Sequence, residues 1–306
     1  MSLLRFDFSK LDKRIYKLTD RQVVELRAFY LSARKDVTER LAFIYSNHGG
    51  SFSEMMKYNR LDRLDKELAL IINELNTKSG KHLKLMQRTA YQQGYYTSGF
   101  MIEKSFGFDL GFGKLDAKTV DKAVLNSMDR VGFINRNKAH TEQLRRKLST
   151  DIASGLARGA SYQEIGRDIN ASFKTGSFNA ERIARTEAHR AQLMARIDAF
   201  EHLEEKGVEA KKRWRSTLDD KTRDNHQDLD GKEVGLSDDF ESGSGGRGPG
   251  PGQMGTAEDD IHCRCGLDFI TGDMSPKFRR ARDSATGRGE IIEYKTYNEW
   301  AGAKAV

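Results

Sequence analysis

Two cysteines and two histidines in the C-terminal third of the chain have the types and spacing of metal ligands. Cys263 and Cys265 are separated by one residue and directly follow His262, and His226 lies upstream in a turn-rich acidic segment. Thiolate and imidazole are the ligands that zinc prefers, and four of them in a tetrahedral array form a structural site. The pattern therefore indicates a candidate zinc site made of His226, His262, Cys263 and Cys265.

A second interpretation of the same cysteines stays open. Two thiols this close in sequence are often small buried hydrophobic groups. The spacing also differs from that of a standard zinc finger, and a long loop separates the two halves of the candidate site. Two cysteines this close in sequence are not expected to form an ordinary disulfide with each other. A chain that carries no such disulfide is typical of a reducing compartment.

Basic residues form a second candidate site, because they bunch on predicted helices of the middle region. The chain has a net charge of +7 and an isoelectric point of about 9.2. Such faces can contact phosphate without reading bases, although a solvated basic face explains them equally well. The candidate DNA-binding residues are Arg136, Lys138, Arg145, Arg146, Lys147 and Arg182.

The elements that position these residues are predicted to be mainly helices. Apolar residues recur every three or four positions, and the three prolines all lie after residue 248. We predict a mostly α protein, with helical N-terminal and middle regions and a small α+β C-terminal domain. The predicted regions are an N-terminal helical docking region (1–113), a middle helical region with basic faces (114–206), an α+β domain with a Gly-rich loop (207–272) and a basic tail (273–306).

Capping and glycine signals predict where the helices begin and end. The patterns Thr19–Gln22, Ser51–Glu54 and Ser161–Glu164 are capping boxes, each predicting a helix start. Breaks are expected at residues 76–80 and 174–177, a further helix at 116–134, and a flexible loop at 235–257. A strand over 259–270 is expected to pair with the strand that carries Trp214, which would bring His226 to the two cysteines.

The combined motifs resemble a known family. Arg185-Thr186-Glu187 lies in a predicted helix, and Trp214 lies on a strand. Asp219, Thr222, Arg223, His226 and Gly231 then follow at fixed spacing, before the closing run His262-Cys263-Arg264-Cys265. This arrangement, over about residues 150–270, is similar to the phage head-morphogenesis family, the Mu F-like minor capsid proteins of tailed phages. The chain departs from the family in having Arg223 and His226 where members often have cysteines, and His262 directly beside Cys263.

The resemblance implies a minor capsid protein in the virion, inside the head and near the portal, after assembly in the host cytoplasm. Its implied partners are the portal protein, packaged double-stranded DNA and other head proteins, and its implied role is in head assembly and genome delivery. A metal site in this pattern would use His226, Cys263 and Cys265 with His262 or Asp219. The resemblance implies no enzymatic activity.

Two enzymatic alternatives have some support in the residues. A metal-dependent nuclease would use Asp219, Asp220, His226 and His262 as ligands and general base. A group transferase, such as an ADP-ribosyltransferase built on Arg185-Thr186-Glu187, is disfavoured because no Gly-rich phosphate loop follows a strand. No apolar run reaches the length of about 18 residues expected of a membrane-spanning helix, and the first residues lack a signal-peptide pattern.

Overall fold

The computed structural model describes residues 8–125, 132–272, 275–282, 286 and 288–302, apart from the side chains of 9–11 and 58. Helices account for 67% of the described residues, and small antiparallel sheets lie in the C-terminal region, which confirms the predicted fold class. The described helices of the first two thirds are α1 (Phe8–His48), α2 (Phe52–Met56), α3 (Arg60–Phe106), α4 (Ala117–Leu125), α5 (Gly132–Ala157) and α6 (Tyr162–Glu204).

Short strands and helices make up the described part of the last third. They are β1 (Lys211–Arg215), α7 (Asp224–Leu229), β2 (Glu233–Gly235), β3 (Phe240–Glu241), β4 (Arg247–Gly248), α8 (Ala257–Asp260), β5 (Gly266–Ile270), β6 (Phe278–Arg282), β7 (Gly289–Glu293) and α9 (Tyr297–Gly302). β1 is the central strand of an antiparallel sheet ordered β2-β1-β5, and Trp214 lies opposite Leu267. The expected pairing of the Trp214 strand with a later strand is therefore present, but the strand predicted over 259–270 covers only Gly266–Ile270, because residues up to Asp260 form α8.

The chain forms two compact units that are interleaved along the sequence. Unit 1 contains the described residues of 1–19, 86–130 and 185–306, and unit 2 contains those of 20–85 and 131–184. Helices α1, α3 and α6 each contribute residues to both units. The division into four consecutive regions stays a prediction.

The helix break predicted at residues 76–80 is absent, because α3 runs through it. Asn137 of α5 donates to the side-chain oxygen of Asn76 at 2.8 Å and to Ser79 Oγ at 3.0 Å. The polar side chains that suggested a break therefore find partners on a neighbouring helix, so they do not compete with the α3 backbone.

The break predicted at residues 174–177 is also absent, because α6 is continuous there. A side chain added at Gly176 would lie 3.2 Å from Leu144 and 3.3 Å from Tyr30. His140 lies 2.8 Å from the Gly176 carbonyl oxygen. This glycine therefore permits close packing within unit 2, and it does not end the helix.

The three capping boxes have different outcomes. Ser161 and Glu164 bond reciprocally at the start of α6, with the Ser161 amide donating to Glu164 at 2.7 Å. Ser51 is the N-cap of α2, but its side chain makes no capping bond. Thr19 lies inside α1, which already begins at Phe8. Phe8 is buried, and its ring lies 5.6 Å from Phe269, so tertiary packing extends the helix beyond the local start signal.

The helix predicted over 116–134 is only partly covered, since α4 spans Ala117–Leu125 and residues 126–131 lie outside the described residues. The segment predicted as a basic tail (273–306) contains the β6–β7 hairpin and α9. Tyr297 and Trp300 of α9 are buried against Leu218 and Ala281, as part of one apolar cluster. This burial explains why the segment folds.

Within the described residues, no helix carries an apolar stretch long enough to cross a membrane.

A buried ion network in unit 1 joins the start of α1 to α6 and the central sheet. Asp12 accepts hydrogen bonds from Arg215 and Gln192, both at 2.6 Å, and forms an ion pair with Arg196. Arg215 also donates to Asp268 at 2.8 Å. Burial alone would raise the pKa of Asp12, but Arg196 and Arg215 outweigh it and lower this pKa to about 2.

We expect Asp12 to stabilise the fold above about pH 4, and this contribution to be lost as the pH falls toward about 2, because its folded pKa lies below the ordinary value of 3.8. Asp12→Asn should lower the free energy of unfolding at pH 7 by about 2 kcal/mol and flatten its decline below pH 4. Urea unfolding across this pH range measures both effects. Asp36→Asn, an exposed change on the same helix, is the control. An equally steep acid decline in Asp12→Asn would show that other carboxylates carry it.

Candidate metal centre

Three of the four predicted metal ligands converge in the interior of unit 1. His226 lies on α7, and Cys263 and Cys265 immediately precede β5. The Nδ1 atom of His226 lies 3.5 Å from Cys265 Sγ and 3.7 Å from Cys263 Sγ. All three residues are buried, both cysteines are free thiols, and the three potential ligand atoms lie within 4.8 Å of one another. The β1–β5 pairing is what brings the cysteine segment back to α7.

The other ring nitrogen of His226 is held by a carboxylate. Nε2 lies 3.2 Å from Asp259 Oδ1, and both side chains are essentially inaccessible to solvent, at 1% and 0% exposed. Burial alone would raise the pKa of Asp259, but hydrogen bonds from Thr256, Ser244 and Ser242 keep it below its ordinary value. An ionised Asp259 places a ring hydrogen on Nε2, so that Nδ1 is the ring atom that faces the two sulfurs.

The two thiols differ in acidity in the absence of a metal. A hydrogen bond from the Cys263 thiol, together with His226 and Ser216, lowers the pKa of Cys265 despite its burial. The same contact with Cys265, together with burial, raises the pKa of Cys263. Cys265 is therefore the more acidic of the two thiols.

Trp214 and Ser216 support the centre from β1 and the residues after it. The Trp214 ring meets the His226 ring edge-on, with centroids 5.2 Å apart. Its indole nitrogen donates to Ser216 Oγ at 3.1 Å, and the Ser216 hydroxyl donates to the His226 carbonyl at 2.5 Å. The Ser216 hydroxyl also lies 3.7 Å from Cys265 Sγ. These contacts fix the position and orientation of α7 relative to the sheet.

The Asp219-x-x-Thr222-Arg223 motif holds the cysteine segment. Arg264, the residue between the cysteines, donates to both carboxylate oxygens of Asp219, at 2.8 Å for the longer bond. Thr222 lies against the same carboxylate at 3.3 Å. Arg223 donates to the carbonyl oxygens of Asp259 and Ile261. These motif residues therefore fix the backbone that carries the ligands.

The Arg185-Thr186-Glu187 motif lies on α6 and contacts the segment that carries the two cysteines. The Thr186 hydroxyl accepts a hydrogen bond from the His262 amide at 3.4 Å. Glu187 is buried, forms an ion pair with Arg190 at 2.9 Å and accepts from Gln87 at 3.1 Å. The glutamate therefore holds neighbouring helices together.

His262 lies beside the centre, outside the convergent group. Its backbone has a φ of +57°, a left-handed conformation that is uncommon for a residue with a side chain. Its exposed ring lines a cavity of about 230 Å³ next to His226 and Cys265. Among the described residues, the atoms that converge with metal-ligand spacing belong to His226, Cys263 and Cys265 alone. The cavity is otherwise lined by Lys221, Thr222, Arg223 and Arg264.

The Gly-rich segment predicted as a flexible loop is folded around Asp259. It contains the β3–β4 pair, and the Ser242 amide donates to the Gly246 carbonyl at 2.8 Å. A side chain added at Gly246 would lie 2.0 Å from Asp259 Oδ2, and one added at Gly248 would lie 1.8 Å from the Gln253 carbonyl oxygen. These glycines therefore allow the backbone to approach neighbouring atoms closely. The low-complexity sequence did not reveal this role.

Asp259 is the functional residue that sequence reasoning missed. It stands in the acidic run Glu258-Asp259-Asp260, which resembles an ordinary solvated segment. One signal was present, because Thr256 and Asp259 have capping-box spacing. Their reciprocal bonds form in the structure, with the Thr256 hydroxyl donating to Asp259 at 2.8 Å.

The candidate DNA-binding residues lie in unit 2, where acidic side chains pair with Arg145, Arg146 and Lys147. Arg145 contacts Asp65 at 3.1 Å and Glu142 at 2.9 Å, and Arg146 contacts Glu142 at 3.2 Å. Lys147 pairs with Asp151. Lys138 is exposed, and Arg136 and Arg182 are half-buried.

The comparisons with known proteins agree with the motif pattern. A family model described as Phage Mu protein F like protein matches residues 146–268, which enclose the whole centre. The chain is 30% identical over 302 residues to the minor head protein GP7 of Bacillus phage SPP1, covering 96% of both proteins. It is also 30% identical over 295 residues to the NAD(+)--arginine ADP-ribosyltransferase EFV of Enterococcus faecalis (strain ATCC 700802 / V583), covering 96% of this chain and 59% of that protein. No solved structure matches the chain.

We expect Gly248→Ala to destabilise unit 1 by about 1–3 kcal/mol, because the new methyl group would overlap the Gln253 carbonyl oxygen and displace backbone. Gly243→Ala is the matched control in the same segment, because its new methyl group would meet only Asn225, at 4.0 Å. The control should change stability by less than about 0.5 kcal/mol. Thermal unfolding of the two variants measures the difference. Equal stability would mean that the segment is not packed as described.

Proposed function

Because the chain belongs to the Mu F-like family of phage head-morphogenesis proteins, we propose that it is a minor head protein that binds the portal protein and lies against packaged double-stranded DNA. The observation that carries the proposal is the 30% identity to the SPP1 minor head protein across 96% of both chains. A match of this extent includes the long helices as well as the candidate metal centre. The role in head morphogenesis therefore belongs to the whole chain.

The proposed location is the interior of the virion head, near the portal, after assembly in the host cytoplasm. There the protein would contact other head proteins during assembly and support delivery of the genome. Its two compact units suit such a role, since each has its own buried core and can present a separate surface to a partner.

Support for portal binding comes from apolar side chains on the outer face of α1. Val24 and Leu31 are 61% and 54% exposed. They are seven residues apart, so they lie on the same face of the helix. A helix with exposed apolar residues along one face can dock in a groove of a partner protein. The proposed occupant of this face is the portal protein.

Support for DNA contact comes from the exposed cations on α5. Lys138 is exposed, and the side chains of Arg146 and Lys147 are 74% and 62% exposed. The partners Glu142 and Asp151 offset part of the positive charge. The proposed contact is therefore with phosphates, independent of base sequence and sensitive to salt.

The geometry does not favour the nuclease alternative. Both oxygens of the Asp219 carboxylate are engaged by Arg264, and His262 lies outside the convergent group. A hydrolytic metal site needs ligands and a general base that meet at one point. The proposed role is therefore structural. The transferase activity is named for the Enterococcus relative, of which this chain spans 59%, and we do not extend it to this chain.

For portal binding, we expect the purified chain to co-elute with purified portal protein in size-exclusion chromatography, and Val24→Gln/Leu31→Gln to reduce the bound fraction at least about tenfold. Both positions are exposed, so the variant should keep its melting temperature. Ile291→Gln removes an apolar side chain that is 63% exposed in unit 1 and serves as the control. Absence of the protein from purified procapsids and virions would refute the proposal.

For DNA contact, Arg146→Gln/Lys147→Gln should weaken binding to double-stranded DNA equally for unrelated sequences. It should also reduce the slope of log affinity against log salt by about 1–2, because each phosphate contact contributes about 0.9. Lys35→Gln/Lys78→Gln is the control, since it removes the same charge from exposed, ion-paired lysines in the same unit. Fluorescence anisotropy at several salt concentrations measures both properties. If both double variants lost the same affinity for DNA, the loss would follow from the reduced net charge alone, and a specific contact by Arg146 and Lys147 would be refuted.

A further inference from the structure

We propose that His226, Cys263 and Cys265 bind one zinc ion, with the fourth coordination position facing the neighbouring cavity. The proposal concerns the unit 1 fold, and it is independent of portal or DNA binding. Its basis is the spacing of the three ligand atoms, the orientation of the histidine and the shape of the surrounding space.

The ligand spacing matches a tetrahedral zinc site. Zinc–sulfur bonds of about 2.3 Å and zinc–nitrogen bonds of about 2.0 Å, meeting at a tetrahedral angle, place nitrogen and sulfur about 3.5 Å apart. The Nδ1 atom of His226 lies 3.5 Å from one sulfur and 3.7 Å from the other. The three atoms therefore stand where one ion can reach all of them without a large backbone movement.

The histidine is oriented as metal-bound histidines are. Such histidines usually donate their second ring N–H to a carboxylate, which fixes the tautomer and the ring plane. His226 makes this contact with Asp259 at 3.2 Å, and Asp259 also accepts from Asn225 at 2.6 Å and from Ser242 at 2.8 Å. A pair of cysteines serving only as small apolar groups would not require a buried carboxylate aligned in this way.

The donor set favours zinc over harder cations. Two sulfurs and an imidazole are soft to borderline ligands, which suit zinc and its spectroscopic substitute cobalt, whereas magnesium and calcium prefer oxygen ligands. On binding, each cysteine that still carries a thiol proton releases it to solvent, and both sulfurs coordinate as thiolates.

The fourth position is directed at the cavity of about 230 Å³ that His226 and Cys265 help to line. Lys221, Arg223 and Arg264 also line this space. A water molecule or a small anion is the ligand that this surrounding fits. The ion would link α7 to the segment before β5, between residues 37 apart in sequence.

The test begins with metal analysis of the full chain, purified under reducing conditions without chelator. We expect about one zinc per chain by mass spectrometry of metals. Cys265→Ser should lose this zinc, and Asp259→Asn should weaken zinc affinity about 10–100-fold. His262→Ala is the matched control, since it removes a histidine next to the cysteines but outside the ligand group, and it should retain full zinc content.

A second measurement does not depend on whether the variants fold. Wild-type protein stripped with a chelator is titrated with cobalt, and cobalt–thiolate bonds give a charge-transfer absorption that saturates at one equivalent. Absence of both zinc and this absorption, with two titratable thiols per denatured chain, would overturn the proposal. Loss of zinc in His262→Ala to the extent seen in Cys265→Ser would overturn the three-residue ligand set. A chain with no titratable thiols would instead indicate a disulfide between Cys263 and Cys265, which also refutes zinc binding.

Discussion

The burial of one carboxylate, that of Asp259, organises the C-terminal part of the chain. A buried charge is unfavourable unless hydrogen bonds compensate it, and Asp259 receives them from Ser242, Ser244, Thr256 and Asn225 as well as from His226. These donors come from the β3–β4 segment, the start of α8 and α7. Satisfying the carboxylate therefore folds the Gly-rich segment, places α7 and orients the histidine that faces the two cysteines.

The family motif residues mainly hold in place the chain segment that carries Cys263 and Cys265. Asp219 holds Arg264, Arg223 holds two carbonyl oxygens before Cys263, and Thr186 holds the His262 amide. None of these side chains converges with the three ligand atoms within the described residues. A motif of charged and hydroxyl residues that resembles catalytic machinery is here a set of supports for a small, buried His/Cys/Cys cluster.

Part of this arrangement was predictable from sequence, because the period-two strand around Trp214 and the later strand imply a pairing that brings His226 to Cys263 and Cys265. The role of Asp259 was not, since an aspartate in an acidic run resembles a solvated residue until its donors are placed by tertiary structure. The breaks predicted at Asn76–Gly80 and Lys174–Ser177 were wrong for a related reason. At Asn76–Gly80, Asn137 of another helix satisfies the side chains of Asn76 and Ser79, which in isolation favour a turn. At Lys174–Ser177, the glycine lets the helix pack closely against Leu144 and Tyr30.

The 52 lysine and arginine residues of the chain overstate the positive charge that a partner can meet. Arg196, Arg215 and Arg279 are buried in ion pairs with Asp12, Asp268 and Asp230 in unit 1, where they serve the fold. Arg145 of unit 2 is largely covered between Asp65 and Glu142. A basic composition therefore includes two kinds of cation, those in internal ion networks and those on the surface. Because only the surface part can displace counterions from DNA, the proposed DNA contact depends on a few exposed side chains on α5 and not on the isoelectric point.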